Sequence, residues 1–203
     1  MGKNIGLIPL GFTEIWSASF NSAIIISAGD NAEFIAFCGI NLDITIFNKE
    51  NVYLPAFLKT YPFLNVEVEN KDKKVNSLIA IDNNPKYVAK DKKIFILDKE
   101  KNLSKQVATK VELIKELNSQ RAVCRRIIAE LKKLDLLIKK DLRVKIEGKE
   151  EKVILEEFYV INIEKLLKLD DKIIASFAKK GWMGIFDAHL KSISNFEKIL
   201  KAN

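Results

Sequence analysis

Tyr53-Leu54-Pro55-Ala56-Phe57-Leu58-Lys59-Thr60-Tyr61-Pro62-Phe63 packs two prolines and four aromatics into eleven residues. Each proline fixes its own φ and presses the residue before it towards extended geometry. The stretch therefore reads as a stiff, aromatic-rich crossing between two strands, neither a helix nor a slack loop. On its N-terminal side, residues 22–27 form a short apolar run closed by Gly29-Asp30-Asn31, which is turn chemistry. Residues 33–38 and 42–47 are β-branched and aromatic runs joined through Gly39.

On the C-terminal side, Leu64–Glu69 alternates, with Leu64, Val66 and Val68 predicted on the core face and Glu67 and Glu69 outward. Lys71–Lys74 reads as a turn and Val75–Asp82 as the returning strand of a hairpin. Asn83-Asn84-Pro85 breaks it, and Ile94–Leu97 predicts one more short strand. From Ser104 to Ile138 there is no glycine or proline, and Val107, Val111, Ile114, Leu117, Cys124, Ile127, Ile128, Leu131, Leu134 and Ile138 recur at helical spacing. This predicts one amphipathic helix, or a pair broken at Asn118-Ser119, with Ser104 as N-cap. Arg143–Glu147 and Val153–Ile163 restore strand character around Gly148–Lys152. A helical turn over Ile163–Leu169 follows. A helix capped by Asp170-Asp171 then runs to Lys180 and stops at Gly181, and a last helix covers Trp182–Leu200.

The whole predicts an α+β fold, not a doubly wound sheet. Its strand-rich N-terminal half (1–100) carries a mainly antiparallel sheet. The remainder (101–203) carries a long amphipathic helix or helix pair, a hairpin near 143–163 and C-terminal helices. At 203 residues one domain over 1–203 is expected.

With 48% hydrophobic and 30% charged residues, global disorder is excluded. The net charge of +7 raises nucleic acid or an anionic membrane as partners. The excess is mostly lysine interleaved with acid, and arginine is confined to Arg121, Arg125, Arg126 and Arg143, which favours a solvated surface over a nucleic-acid face. No apolar run is long enough to span a bilayer. The apolar stretch Ile5–Phe12 is soon followed by Glu14 and no cleavage site comes after it, and Gly6 stands where a myristoylation signal has Ser or Thr. Cys38 and Cys124 have no CxxC companions and fit a reducing compartment, so a cytoplasmic location is expected, with export by a dedicated system left open.

Three features stand in order along the chain. Val52-Tyr53-Leu54-Pro55-Ala56-Phe57 leads to Tyr61-Pro62-Phe63, a strand ends in Ile81-Asp82, and the C-terminus carries Gly181-Trp182-Met183-Gly184-Ile185-Phe186-Asp187-Ala188-His189-Leu190-Lys191-Ser192. This series resembles the SapC family of bacterial proteins from about residue 20 to the end. Lys59 and Thr60 stand where the family usually has arginine, and the region before residue 20 is abbreviated, although Ile8-Pro9-Leu10 keeps the family's opening character. The resemblance implies a context of surface-layer assembly or secretion without an established reaction. It suggests an accessory factor whose partner is a protein, such as a secretion substrate or export component.

His189 is the sole histidine, so neither a zinc site nor a two-histidine iron site is expected, and no cofactor or metal is called for. Asp187 at i+2 faces another way on a helix. Ser192 at i+3 reaches His189, but such a hydroxyl more often bonds the preceding turn. A structural histidine joining helix to sheet is the preferred reading. Asp82, before Asn83-Asn84-Pro85, reads as the start of an Asx turn more readily than as a ligand or base. Phe57 and Phe63 read as a core strap, while Tyr53 and Tyr61 are left open to partner contact. Glu156 and Glu157 point to opposite strand faces. No phosphate loop, nucleotide fingerprint or nucleophile elbow is present. No catalytic residue is assigned. Partner contact is expected at Tyr53, Tyr61, Asp82, Trp182, His189 and Ser192. The alternative is an enzyme or small-ligand binder uniting His189, Asp82 and Tyr61, and a membrane-surface or nucleic-acid binder would require lysines gathered on one face.

Overall fold

A computed structural model describes residues 6–40, 47, 50–69, 75–84, 95–144 and 151–202. In chain order its elements are β1 (Gly6–Pro9), a 3-10 turn (Phe12–Glu14), α1 (Ile15–Ala18), β2 (Ala23–Ile26), β3 (Phe34–Gly39), α2 (Ala56–Thr60), β4 (Phe63–Glu69) and β5 (Val75–Ile81). Then follow α3 (Lys105–Lys133), β6 (Leu137–Val144), β7 (Lys152–Ile161), α4 (Ile163–Leu166), α5 (Asp171–Lys179), α6 (Trp182–Ser192) and α7 (Asn195–Ala202). The fold is α+β, and every strand pairing among the described residues is antiparallel. Two compact units are distinguished: Met1–Pro55 with Gln120–Asn203, and Ala56–Ser119.

The first unit holds a five-stranded sheet in the order β1-β3-β2-β7-β6. The register sets Ala23 and Ile25 of β2 beside Phe37 and Ile35 of β3, on the face that also carries Phe158 and Val160 of β7. Phe196 of α7 closes this layer, 5.2 Å from Phe37 and 5.8 Å from Phe158 between ring centres. The intervening residues Ile24, Ile26, Phe34 and Ala36 are buried on the other face. Both faces of β2 are apolar, which explains why its sequence is a continuous run without alternation.

In the second unit α2 is a helix, which corrects the extended crossing expected for residues 53–63. Pro55 sits immediately before the first helical residue, where a missing N–H has no consequence, and Pro62 lies just past the end. The prolines bracket a helix instead of forbidding one. Its C-terminus is capped by Lys110, whose Nζ donates to the Lys59 and Tyr61 carbonyls at 2.6 and 3.0 Å. The β4–β5 hairpin packs Phe63 and Ile81 with Val107, Val111 and Ile114 of α3. Leu64, Val66 and Val68 therefore point away from that core, against expectation. The strand's inward face is the one begun by Phe63.

α3 is one helix, not a pair. The hydroxyl of Ser119 donates to the Lys115 carbonyl one turn back, so the polar Asn118-Ser119 step is absorbed inside the helix. Ser104 Oγ makes no capping bond. The end comes earlier than Ile138: Asp135 turns left-handed at φ 53 and the Leu136 N–H reaches back to the Leu131 carbonyl. β6 begins directly afterwards, so Ile138 is a strand residue. Leu97 makes only an isolated bridge to Leu103, where a strand was expected. The Asp98 side chain closes that turn by accepting from the Glu100 and Asn102 N–H groups. The predicted last helix divides into α6 and α7, because the Ser192 and Ser194 hydroxyls take the His189 and Lys191 carbonyls. Residues 42–46 of the third predicted strand, Ile94, and the turns at Lys71–Lys74 and 148–150 lie outside the described residues.

Gly181 separates α5 from α6 at φ 72, and a Cβ there would meet no atom within 4 Å. Gly181→Ala is therefore expected to lower stability by backbone strain alone, about 1 kcal/mol, measured by urea denaturation.

Candidate functional site

β2 and β7 pair at a single position, Ile26 with Tyr159. Continuing that antiparallel register by two residues sets Ile24 opposite Ile161, yet neither N–H enters the ladder. The Ile24 N–H donates to Ser192 Oγ at 2.9 Å, and the Ile161 N–H donates to His189 Nε2 at 3.1 Å. Both acceptors belong to α6, and both side chains are fully buried. The i, i+3 spacing places them on one helix face. α6 thus enters the seam and supplies the two acceptors that the diverging strands stop giving each other.

Because Nε2 accepts, the bonding pattern places the ring proton on Nδ1, which is buried and lacks a partner of good hydrogen-bond geometry. Burial holds the His189 pKa down at about 4, against the Ile24 backbone, which pulls the other way. The ring is neutral, enclosed and already bonded, so it offers a substrate neither access nor a free basic nitrogen. Phe34 packs edge-on to it at 6.0 Å between ring centres. Ser192 donates onward to the His189 carbonyl at 2.6 Å, so this hydroxyl is no nucleophile poised beside the imidazole.

Tyr53 donates to Glu14 Oε1 at 3.0 Å, while the Gly11 N–H donates to Oε2 at 2.8 Å. Burial, and then the Glu14 charge, raise the tyrosine's pKa. Glu14 is almost wholly buried and was not singled out from sequence. Its signal was the Gly11-x-x-Glu14 spacing, which puts a carboxylate back on the N-terminal amide of a turn. Tyr61 donates to the Asp82 carboxylate, and Asp82 also accepts from the Asn84 N–H at 3.0 Å. The tyrosine hydroxyl first, then that N–H, hold the Asp82 carboxyl below its usual pKa. This pair ties the end of the hairpin to the residue following α2.

Trp182 stacks on Phe177 at 5.5 Å, and Lys180 Nζ lies 4.6 Å from the centre of its ring. Beside it Lys172 and Lys179 of α5, with Lys180 just past its end, surround an open groove of about 530 Å³ that also includes Ala175 and Ser176. Sequence reasoning also passed over Glu33, which accepts from Arg121 and Arg125 at 2.7 and 3.0 Å. Cys38 and Cys124 are both buried free thiols. Burial pushes Cys124 up to about 12, with Glu33 and Glu14 adding to the rise, and burial raises Cys38 too. Among the described residues, no three His, Cys, Asp or Glu side chains are grouped as a metal site, and no helix is long and apolar enough to cross a membrane.

The sequence-predicted residues are thus brought together in pairs: His189 with Ser192 at the seam, and Tyr61 with Asp82 at the hairpin. Tyr53 joins Glu14, and Trp182 joins Phe177. Fold and site together define an α+β protein whose sheet is completed by helix side chains. The SapC family model matches residues 1–199, and the chain belongs to the SapC family. The match includes the N-terminal stretch that looked abbreviated. No curated protein and no solved structure matches the chain.

Two outcomes test the seam. Above pH 6.5 both folded and unfolded chains hold a neutral His189; between pH 6.5 and 4 only the unfolded chain takes the proton. Stability should therefore fall through that window by about 3 kcal/mol more in the wild type than in His189→Gln, read from urea denaturation across pH. Ser192→Ala should cost about 1–3 kcal/mol by stranding the Ile24 N–H, and exchange of that amide with deuterium should accelerate.

Proposed function

We propose that this SapC protein acts by holding another protein and not by catalysis. What supports the reading is the outer face of the β4–β5 hairpin. Leu64 lies opposite Ala80 and Val66 opposite Leu78, with Val68 continuing the row. Val66, Val68 and Leu78 are 39, 44 and 54% exposed. An apolar row on a sheet face can form the buried centre of a larger contact whose rim is polar. The side chains expected to do chemistry are committed elsewhere: His189 to the Ile161 N–H, and Asp82 to Tyr61 and Asn84.

On this reading the protein is an accessory factor for surface-layer assembly or secretion, and its partner is an export substrate or a component of the export machinery. Two buried free thiols favour a cytoplasmic setting. The family match crosses both compact units, which supports treating residues 1–203 as one functional domain. Tyr53 and Tyr61, first considered for partner contact, have hydroxyls engaged inside their own units. Trp182 and the lysines of α5 remain a second surface for such contact.

Co-purification from the native cell should bring down a specific protein. Val66→Ser with Leu78→Ser should abolish its capture while leaving the melting temperature within about 2 °C, since both side chains are already wet. Tyr53→Phe should do the reverse: a loss of about 1–2 kcal/mol from the Glu14 contact, with capture intact. Parallel loss of fold and capture in the hairpin variant would reduce that face to structure.

A further inference from the structure

We infer that the surface formed by Trp16, Phe20 and Lys191 is a docking site for an anionic lipid bilayer. Trp16 and Phe20 leave the same short helix, α1, and its C-terminal turn, and they are 48 and 53% exposed. Their rings meet edge to face at 6.2 Å. Lys191 of α6 holds its Nζ 4.8 Å from the centre of the Phe20 ring. Lys198 of α7 bonds the same base, its Nζ lying 3.4 Å from Asn195 Oδ1, while Asn195 Nδ2 donates to the Ser19 and Ser22 carbonyls on either side of Phe20. The charged group of opposite sign on the exposed side of α6 is Asp187, one turn before Lys191.

The exposure does not come from a loose segment. Asn195 clamps both carbonyls, the Ser22 N–H bonds the Ala18 carbonyl, and Ser19 Oγ donates to the Trp16 carbonyl at 2.7 Å. Two half-wet aromatics are thus presented on a fixed base. Their free area is about 200 Å², taking about half of what such side chains bury in full. A stable protein contact needs about 800 Å² on each side, so the patch alone is too small for one. A bilayer interface asks for less: one or two amphipathic rings at the level of the headgroups, with lysines facing the phosphates. The net charge of +7 supplies long-range attraction to such a surface. This surface lies in the first unit and stands independently of the hairpin face.

The test uses the full chain carrying Trp182→Phe, which leaves Trp16 as the sole tryptophan reporter. Vesicles of phosphatidylglycerol with phosphatidylcholine should blue-shift Trp16 emission, and brominated acyl chains should quench it. Pure phosphatidylcholine should do neither. In flotation, Trp16→Ser with Phe20→Ser should reduce partitioning by about tenfold or more, and Lys191→Gln should weaken it and flatten its salt dependence. Absence of binding to anionic vesicles, equal binding to neutral ones, or an unquenched Trp16 on bound protein would overturn the inference. So would a wild-type protein that ignores lipid while the double variant loses a captured protein, which would give the patch to that partner instead.

Discussion

The structure depends on two backbone N–H groups that face each other across a gap in a sheet. Those of Ile24 and Ile161 stand where a ladder would have paired them, and α6 answers both with side-chain acceptors. Leaving either group buried and unpaired would cost on the order of a hydrogen bond's desolvation, so the seam closes only with α6 in place. The β1-β3-β2 and β7-β6 portions of the sheet, separated by the 97 residues between Gly39 and Leu137, meet at this point and at one direct pair. The Ala188-His189-Leu190-Lys191-Ser192 stretch is therefore architectural, and the solitary imidazole is spent on joining elements.

Much of this was legible. Apolar runs located β2 and β3, alternation located β4, and Asp170 and Gly181 marked the two ends of the segment that became α5. A histidine joining helix to sheet was the preferred reading of His189, and its ring does accept from the Ile161 N–H of β7. What failed did so where tertiary partners overrode local pattern. Pro55 and Pro62 were taken to prohibit a helix, yet they flank one that Lys110 caps from far along the chain. Ser119, Ser192 and Ser194 show the same residue type acting in opposite ways: one hydroxyl is absorbed within a helix, while two others terminate one. Which face of β4 turns inward was decided by Phe63, the larger anchor, although three aliphatics shared the other side.

The site residues were legible by type but not by pairing. Nothing local tells Tyr53 to seek Glu14, thirty-nine positions earlier, or Tyr61 to seek Asp82. Trp16 and Phe20 were invisible as a surface because exposure is a property of what fails to cover a residue, and sequence spacing records only what a residue offers.

Cys38 and Cys124 have a practical consequence. A sulfhydryl that resists ionisation is a sluggish nucleophile, so mild oxidants and maleimide or iodoacetamide reagents should pass both by in the intact molecule. A cysteine introduced on the outside would then take a fluorophore or spin label cleanly, without first stripping the native pair.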